Sequence, residues 1–426
     1  MDGTAQADVA ELQLPRSNVT QWLAPSPAAE DKLFYPLSAS TWGPEEIDAA
    51  KSVLDCGLMT MGAKVRAFEA AFAEYFGVAH GIMVNSGSSA NLIAVAALFH
   101  KADRPLQRGD EVIVPAISWA TTYHPLQQYG LKLRFVDVQI DTLNIDVGQL
   151  QAALMPRTRA IMAVSILGNP AALDVIRAFA DQHDLYLIED NCESMDAEID
   201  GRKTGTFGDL NTFSFFFSHH ISTMEGGMVL TDDLELAHLC RSLRAHGWTR
   251  DIPHDSPLYH RTAADHFEAY RFILPGYNVR PLEIEAAVGL VQLAKLPDMT
   301  AKRRANLALF QSLFGNDERF IIQREYGTSS SFSFTVILNP RYRPDRTSVF
   351  AALTRARIGF RIITGGNFLR HDALKYFDYD VVGGSTPNAD IAHDYGFFVG
   401  NYPFDLTEQL HRLRAVLDDA FTTART

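Results

Sequence analysis

Short apolar runs rich in β-branched residues alternate with amphipathic stretches along most of the chain, beginning just past Gly77. Gly81–Val84, Glu111–Pro115, Leu133–Val138, Ala160–Ile166 and Leu185–Glu189 are apolar at nearly every position, the pattern of strands buried on both faces. Between them, Ala90–His100, Val147–Leu154 and Leu173–His183 space their apolar residues for helices. Asn211–Phe217 and Met228–Thr231 add two further strands close together. This alternation predicts an α/β fold whose mostly parallel, seven-stranded sheet is covered by helices.

The ends of the chain read differently. Residues 1–32 are rich in Ala, Pro, Gln and Asp without sustained periodicity and are expected to form a mobile extension. Trp42–Val53 and Val65–Phe76 read as entry helices separated by the turn Asp55-Cys56-Gly57. After Pro281 a helical run, Glu283–Lys295, leads into a mixed α/β tail. The organisation predicted is an extension, a large domain over 33–285 and a smaller C-terminal α/β domain over 286–426. No internal repeat interrupts it.

Composition narrows the function classes. A chain of 426 residues, 47% hydrophobic and 21% charged, buries a large core and is expected to divide into two units. No stretch approaches the roughly 20 consecutive apolar residues of a membrane span, and the first thirty residues lack a signal pattern, so a soluble, cytoplasmic protein is expected. The net charge of −13 argues against a general nucleic-acid surface, so any bound phosphate must meet a local site. The three cysteines, Cys56, Cys192 and Cys240, are too scattered for a metal knuckle or a disulfide framework, and no metal is expected.

Five segments carry candidate chemistry. Asn85-Ser86-Gly87-Ser88-Ser89-Ala90-Asn91 lies between a strand and a helix, where backbone amides favour a phosphate, although a plain helix cap has the same composition. Trp119 follows a strand's C-terminal end, where α/β sheets place ligands, and either stacks on a flat ring or packs in the core. Asp190 ends an apolar strand and serves either as a helix cap or as partner to a ring nitrogen, with Glu193 close behind. Ser214 precedes the pair His219-His220, which reads as a partly exposed turn, a metal ligand pair or an acid–base site. Leu274–Glu283, containing Asn278, is a turn loaded with polar donors.

In this order and spacing the five segments resemble the fold-type-I pyridoxal-phosphate enzymes acting on nucleotide-linked keto sugars, the family of the sugar 3- and 4-aminotransferases. The resemblance runs from about Tyr35 to the C-terminus. It implies that Ser86, Gly87, Ser88 and Ser214 hold the cofactor phosphate, that Trp119 stacks on its ring, and that Asp190 pairs with the pyridine nitrogen. Glu193 belongs to the same cofactor set, and Asn278 is implied to reach the phosphate bound by the other subunit of a homodimer. In that family an anchoring lysine stands seven residues before the first glycine of Glu225-Gly226-Gly227, and counting back from Gly226 lands on His219. An imidazole cannot form the Schiff base that a lysine amine forms, so the cofactor would sit untethered beside a proton-transfer group.

Several longer runs, among them Ser118–Gly130, Leu187–Met195, Ser218–Gly227, Arg244–Arg250 and Gly396–Asn401, are similar to the lysine-less 3-dehydratase branch that serves colitose formation in lipopolysaccharide O-antigen. That resemblance implies removal of the C3 hydroxyl from GDP-4-keto-6-deoxy-D-mannose or a related nucleotide-linked 4-keto-6-deoxy sugar. It further implies L-glutamate as amino donor, pyridoxal and pyridoxamine 5'-phosphate as cofactor forms, release of ammonia, and His219 as the acid–base group. Arg250, Tyr270, Arg361, His371 and Asn401 are the residues expected on the substrate side. Related chemistries fit less well. A sugar 4-aminotransferase needs the lysine, an iron–sulfur 3-dehydrase with a reductase partner needs more thiolates than three scattered cysteines, and a non-catalytic binding protein has no use for a replacement base in register.

Overall fold

The computed structural model describes residues 33–423, so the expected extension over 1–32 lies outside the described residues. The seven strands form much as expected, and an eighth joins them. In spatial order the sheet runs His80–Val84, Gly227–Thr231, Leu210–Ser214, Tyr186–Asp190, Thr158–Val164, Glu111–Pro115, Lys132–Val136 and Tyr379–Val381. Gly227–Thr231 is antiparallel to both neighbours and every other pairing is parallel. The seven-stranded expectation is thereby corrected. Tyr379-Asp380-Val381 is too short and polar to read as a strand, yet Asp380 pins it to the sheet edge through Lys132 at 2.6 Å and Arg134 at 3.1 Å.

The continuous apolar runs are explained by two packed faces. Ile82, Val84, Val112, Val114, Ala160, Met162, Tyr186 and Ile188 point into one core, shared with helix Gly87–His100 and helix Leu234–Leu243. The alternate residues Ile113, Ile161, Ala163 and Leu187 point to the opposite core beneath helix Leu173–Gln182, and Met83 packs with helix Ala63–Phe76. A period of two with both faces apolar is what a helix-covered parallel sheet requires.

The C-terminal region forms a four-stranded antiparallel sheet, ordered Phe320–Ile321, Ser333–Leu338, Gly396–Gly400 and Phe360–Arg361. The helix expected over Glu283–Lys295 continues to Phe314 straight through Pro297, crossing the boundary placed at 285/286. An internal proline costs a helix about 3 kcal/mol. Burial of Met299, Phe310 and Phe314 on the following turns offsets it. The division also mixes in space, because Tyr35 packs in the core of the smaller sheet while Tyr379–Val381 belongs to the larger one. No helix among the described residues is long and apolar enough to cross a membrane.

Candidate active site

The C-terminal ends of neighbouring parallel strands gather the candidate residues, as expected of an open α/β sheet. Ser86 follows His80–Val84 and caps helix Gly87–His100, its Oγ accepting from Ser89 N at 3.1 Å. Ser88 is exposed and donates to Thr121 Oγ1 at 3.0 Å. Gly87 packs so closely on the end of strand Leu210–Ser214 that a Cβ there would lie 2.5 Å from Ser214 Cβ and 2.9 Å from Cys192 Sγ. Only glycine leaves the first amides of this helix open beside Ser214. Trp119, 60% exposed, caps helix Ala120–Gln128, which settles the choice between core packing and an open face in favour of the latter.

His219 lies on a loop held closed from several sides. Phe215 N donates to Gly226 O and Thr223 N to Phe215 O, both at 2.9 Å, while Phe215 is fully buried against Phe68 and Phe72. Trp42 Nε1 donates to Ser222 O at 3.0 Å, and Ser222 N donates to Gln292 Oε1 at 3.1 Å. The half-buried imidazole places Nδ1 2.7 Å from Cys192 O and its ring 5.1 Å from Phe332 in edge contact. A carbonyl oxygen only accepts, so Nδ1 carries the proton and Nε2 keeps the free lone pair. Burial, with help from the Arg303 charge and against the Cys192 bond and Asp190, pushes the His219 pKa down to about 4. The resting imidazole is therefore neutral at neutral pH, and a better proton donor than an ordinary imidazolium once protonated. His220 is different: it is fully buried, its Nε2 near Ser330 O.

Asp190 is 5% exposed at the end of Tyr186–Asp190, and a set of donors that the sequence does not reveal fixes it. Asn91 Nδ2 donates to its Oδ2 at 2.8 Å, Thr122 Oγ1 donates to the same oxygen at 2.7 Å, and Cys192 N approaches Oδ1 at 3.2 Å. Because Thr122 spends its hydrogen on Asp190, Ser118 must donate in the 2.7 Å contact between the two hydroxyls. The only hint in the sequence is Asn91 itself, a lone polar residue in the apolar run Ala90–Leu98. Glu193 is half-buried, accepts from Leu167 N at 2.9 Å, and has its pKa pushed up to about 7, chiefly by burial.

The remaining candidates are dispersed. Arg250 and Tyr270 meet in a cleft of about 450 Å³, where Tyr270 stacks on Trp248 at 5.8 Å and the Arg250 guanidinium lies 5.1 Å from the same indole. Asn278 is exposed, accepts from Arg280 Nε at 3.0 Å, and neighbours Val279, whose carbonyl receives Asn85 N at the entrance to the serine turn. Arg361 is exposed on its edge strand, and His371 is exposed with Nε2 2.8 Å from Gly365 O. Asn401 requires correction. It is 2% exposed, its amide donates to Arg303 O, Ser331 O and Ser331 Oγ at 3.0 Å each, and its carbonyl accepts from Asn306 at 3.1 Å. A side chain saturated inside the fold has nothing left for a substrate.

The donor set fits a phosphorylated pyridine aldehyde. A helix N-terminus with serine hydroxyls suits the phosphate dianion, an open indole suits a ring face, and a carboxylate fixed by three donors suits a ring nitrogen. Known proteins similar to this chain include PLP-bound enzymes. GDP-4-keto-6-deoxy-D-mannose 3-dehydratase of Yersinia pseudotuberculosis is 47% identical over 385 residues, covering 90% of this chain and 98% of that protein. The solved structure of the E. coli GDP-4-keto-6-deoxy-D-mannose-3-dehydratase with bound hydrated PLP superposes with a TM-score of 0.88 at 46% identity, covering 90% of this chain and 99% of the other. A structure of GDP-4-keto-6-deoxymannose-3-dehydratase with a trapped PLP-glutamate geminal diamine matches with the same score and identity, over 90% and 100% of the two chains. Residues 41–412 match the family model itself, and the chain belongs to the DegT/DnrJ/EryC1/StrS aminotransferase family.

Proposed function

We propose that this chain is a glutamate-dependent 3-dehydratase that removes the C3 hydroxyl of a GDP-linked 4-keto-6-deoxy-mannose, using pyridoxal phosphate and its pyridoxamine form. The observation that carries the reading is a neutral imidazole, with Nε2 free, at the position where an aminotransferase needs a lysine. No lysine stands in the segment Ser214–Gly227, and Lys51, Lys101, Lys132, Lys203 and Lys295 pair with acidic residues elsewhere. This disfavours a 4-aminotransferase.

When bound, the cofactor supplies an amine for the C4 ketone and an electron sink that lets the C3–O bond break. The amides at the start of helix Gly87–His100, with Ser86, Ser88 and Ser214, hold the phosphate. Trp119 covers a ring face and Asp190 fixes the ring nitrogen. Nε2 of His219 takes up the proton that must leave carbon, then returns it to the departing C3 oxygen. Its depressed pKa keeps the free base present at neutral pH and, at a cost in basicity, makes the imidazolium, once formed, a ready donor to the departing oxygen. Glu193, poised near neutrality, stands beside the same pocket. The net reaction balances as sugar plus glutamate giving 3-deoxy sugar, 2-oxoglutarate and ammonia. Arg250, Tyr270, Arg361 and His371 remain the substrate-side candidates, and a homodimer in the cytoplasm, with Asn278 reaching its neighbour's phosphate, completes the proposal.

Mass spectrometry of incubations with glutamate and GDP- or CDP-linked 4-keto sugars tests this. A product lighter by one oxygen with no added nitrogen is expected from the GDP sugar; replacement of the ketone by an amine would make the chain an aminotransferase. The Asp190 donors give a second test. Thr122→Val keeps the shape but removes a hydrogen bond to a carboxylate, and should weaken pyridoxal phosphate binding about tenfold in equilibrium dialysis. Unchanged affinity and turnover would show that the other donors suffice.

A further inference from the structure

Arg303, on the long helix Glu283–Phe314, is 2% exposed, and among the described residues its guanidinium hydrogen-bonds to main-chain carbonyls alone. Nη1 donates to Phe332 O at 3.2 Å and to Asn401 O, while Nε is buried without a partner. No carboxylate among the described residues forms an ion pair with it. A buried cation is normally paired, because desolvation is costly, so an uncompensated guanidinium marks a place where its charge or its grip is needed.

Its grip falls on the segment that walls the His219 ring. Phe332 touches His219 at 5.1 Å and His220 at 5.8 Å between ring centroids. The backbone around it is seated on the turn after Thr158–Val164, with Phe332 N donating to Leu167 O at 3.0 Å and Ser330 N to Gly168 O at 2.9 Å. The seat is close: a Cβ at Gly168, whose φ is +94°, would lie 2.3 Å from Phe332 N. Leu167 in turn donates to Glu193, so Arg303 closes a chain of contacts that runs around the imidazole.

We propose that Arg303 is a positioning residue for His219: it holds the Phe332 main chain, and so the ring that walls the imidazole, and adds a fixed positive charge to the same surroundings, keeping the base oriented. This rests on the reading of His219 as the acid–base group. The other charged and titratable neighbours do not duplicate the effect. Asp190, from the end of its strand, favours the imidazolium; Glu193 is held near neutrality; and burial drives His220 well below its ordinary range. Burial lowers Arg303 itself to about 9, which leaves it charged at neutral pH.

The test is a histidine titration of the full-length protein, with and without pyridoxal phosphate, by NMR of side-chain-labelled histidine. The His219 signal is assigned by its absence in His219→Asn. Arg303→Gln and Arg303→Met, which remove the charge, should raise the His219 midpoint by about one pH unit, a tenfold change in protonated fraction. Arg303→Lys should hold the midpoint near wild type. Identical midpoints in all four proteins, with only a lower melting temperature, would overturn the electrostatic role. Phe332→Leu keeps the charge and tests the clamp, and it decides where neither neutral variant folds. A several-fold fall in kcat at constant KM for the sugar supports positioning, and unchanged kcat refutes it. The midpoint is read without substrate, so a shifted midpoint in a protein devoid of dehydratase activity would sink the functional reading and leave the Arg303 effect standing.

Discussion

His219→Asn should abolish both 2-oxoglutarate formation and loss of the sugar oxygen while leaving pyridoxal phosphate bound. The asparagine amide retains an N–H that can reach Cys192 O, so the loop keeps its internal contact, and the serine turn, Trp119 and Asp190 are untouched. What disappears is the lone pair on Nε2, and an amide offers no basic atom in its place. General acid–base catalysis contributes about 10²–10⁴-fold for one proton transfer. Because the same imidazole serves the glutamate half and the dehydration half, both should fall by at least that factor, with the cofactor's absorbance retained. The pH profile of the wild type supplies an independent check. The His219 pKa is lowered, so activity in the free protein should hold through the ordinary histidine range and fail only as the pH drops toward about 4 and the base is protonated. Turnover in His219→Asn within tenfold of wild type would remove His219 from the mechanism, and so would an acid limb near 6.5 that persists in Glu193→Gln.

The convergence of Ser86, Trp119, Asp190 and Ser214 at one end of the sheet was legible from sequence for a topological reason. Each strand announces itself as a short, continuously apolar run, and in a parallel sheet the residues just past such runs converge at one edge. Ser86, Trp119, Asp190 and Ser214 were therefore placeable before any coordinates. Their fixing partners were not. Asn91 reaches Asp190 across 99 residues and Thr122 across 68, and hydrogen bonds over such separations leave no local periodicity. Asn401 shows the converse failure. A polar residue beside a strand end looks available to a ligand, yet here it is consumed by the Arg303 carbonyl of the long helix and by Ser331. The helix runs past Lys295 and through Pro297 for an energetic reason: the local cost of proline is legible in the sequence, and the tertiary burial that outweighs it is not. The strand Tyr379–Val381 owes its place to two cations on a neighbouring strand, and no pattern within its own three residues predicts it.

Asp190→Asn should lower kcat for both half-reactions by about 10²–10³-fold, the scale expected when one preorganised electrostatic contact is lost from an active site. The carboxylate is acceptor-only, and three donors already point at it: Asn91 and Thr122 on one oxygen, Cys192 N near the other. An asparagine introduces an NH₂ group into this arrangement. If its oxygen takes the place of Oδ2, the new amide opposes the Cys192 N–H; if it flips, it opposes Asn91 and Thr122. Either way a donor faces a donor, and the ring nitrogen loses the negative charge that would hold a proton on it. Weaker holding of that proton degrades the electron sink on which loss of the C3 oxygen depends, so the effect should fall on chemistry more than on affinity. Cofactor binding should weaken about tenfold, and the KM for the sugar should change little. Single-turnover mixing with glutamate separates the outcomes, because it reads the first half-reaction without sugar. A variant that turns over glutamate within threefold of wild type would show that Asp190 only braces the serine turn. In Asp190→Asn the His219 titration should move down, since a neighbouring negative charge has been removed, whereas in Arg303→Gln it moves up; opposite signs at the two positions would locate His219 electrically between them.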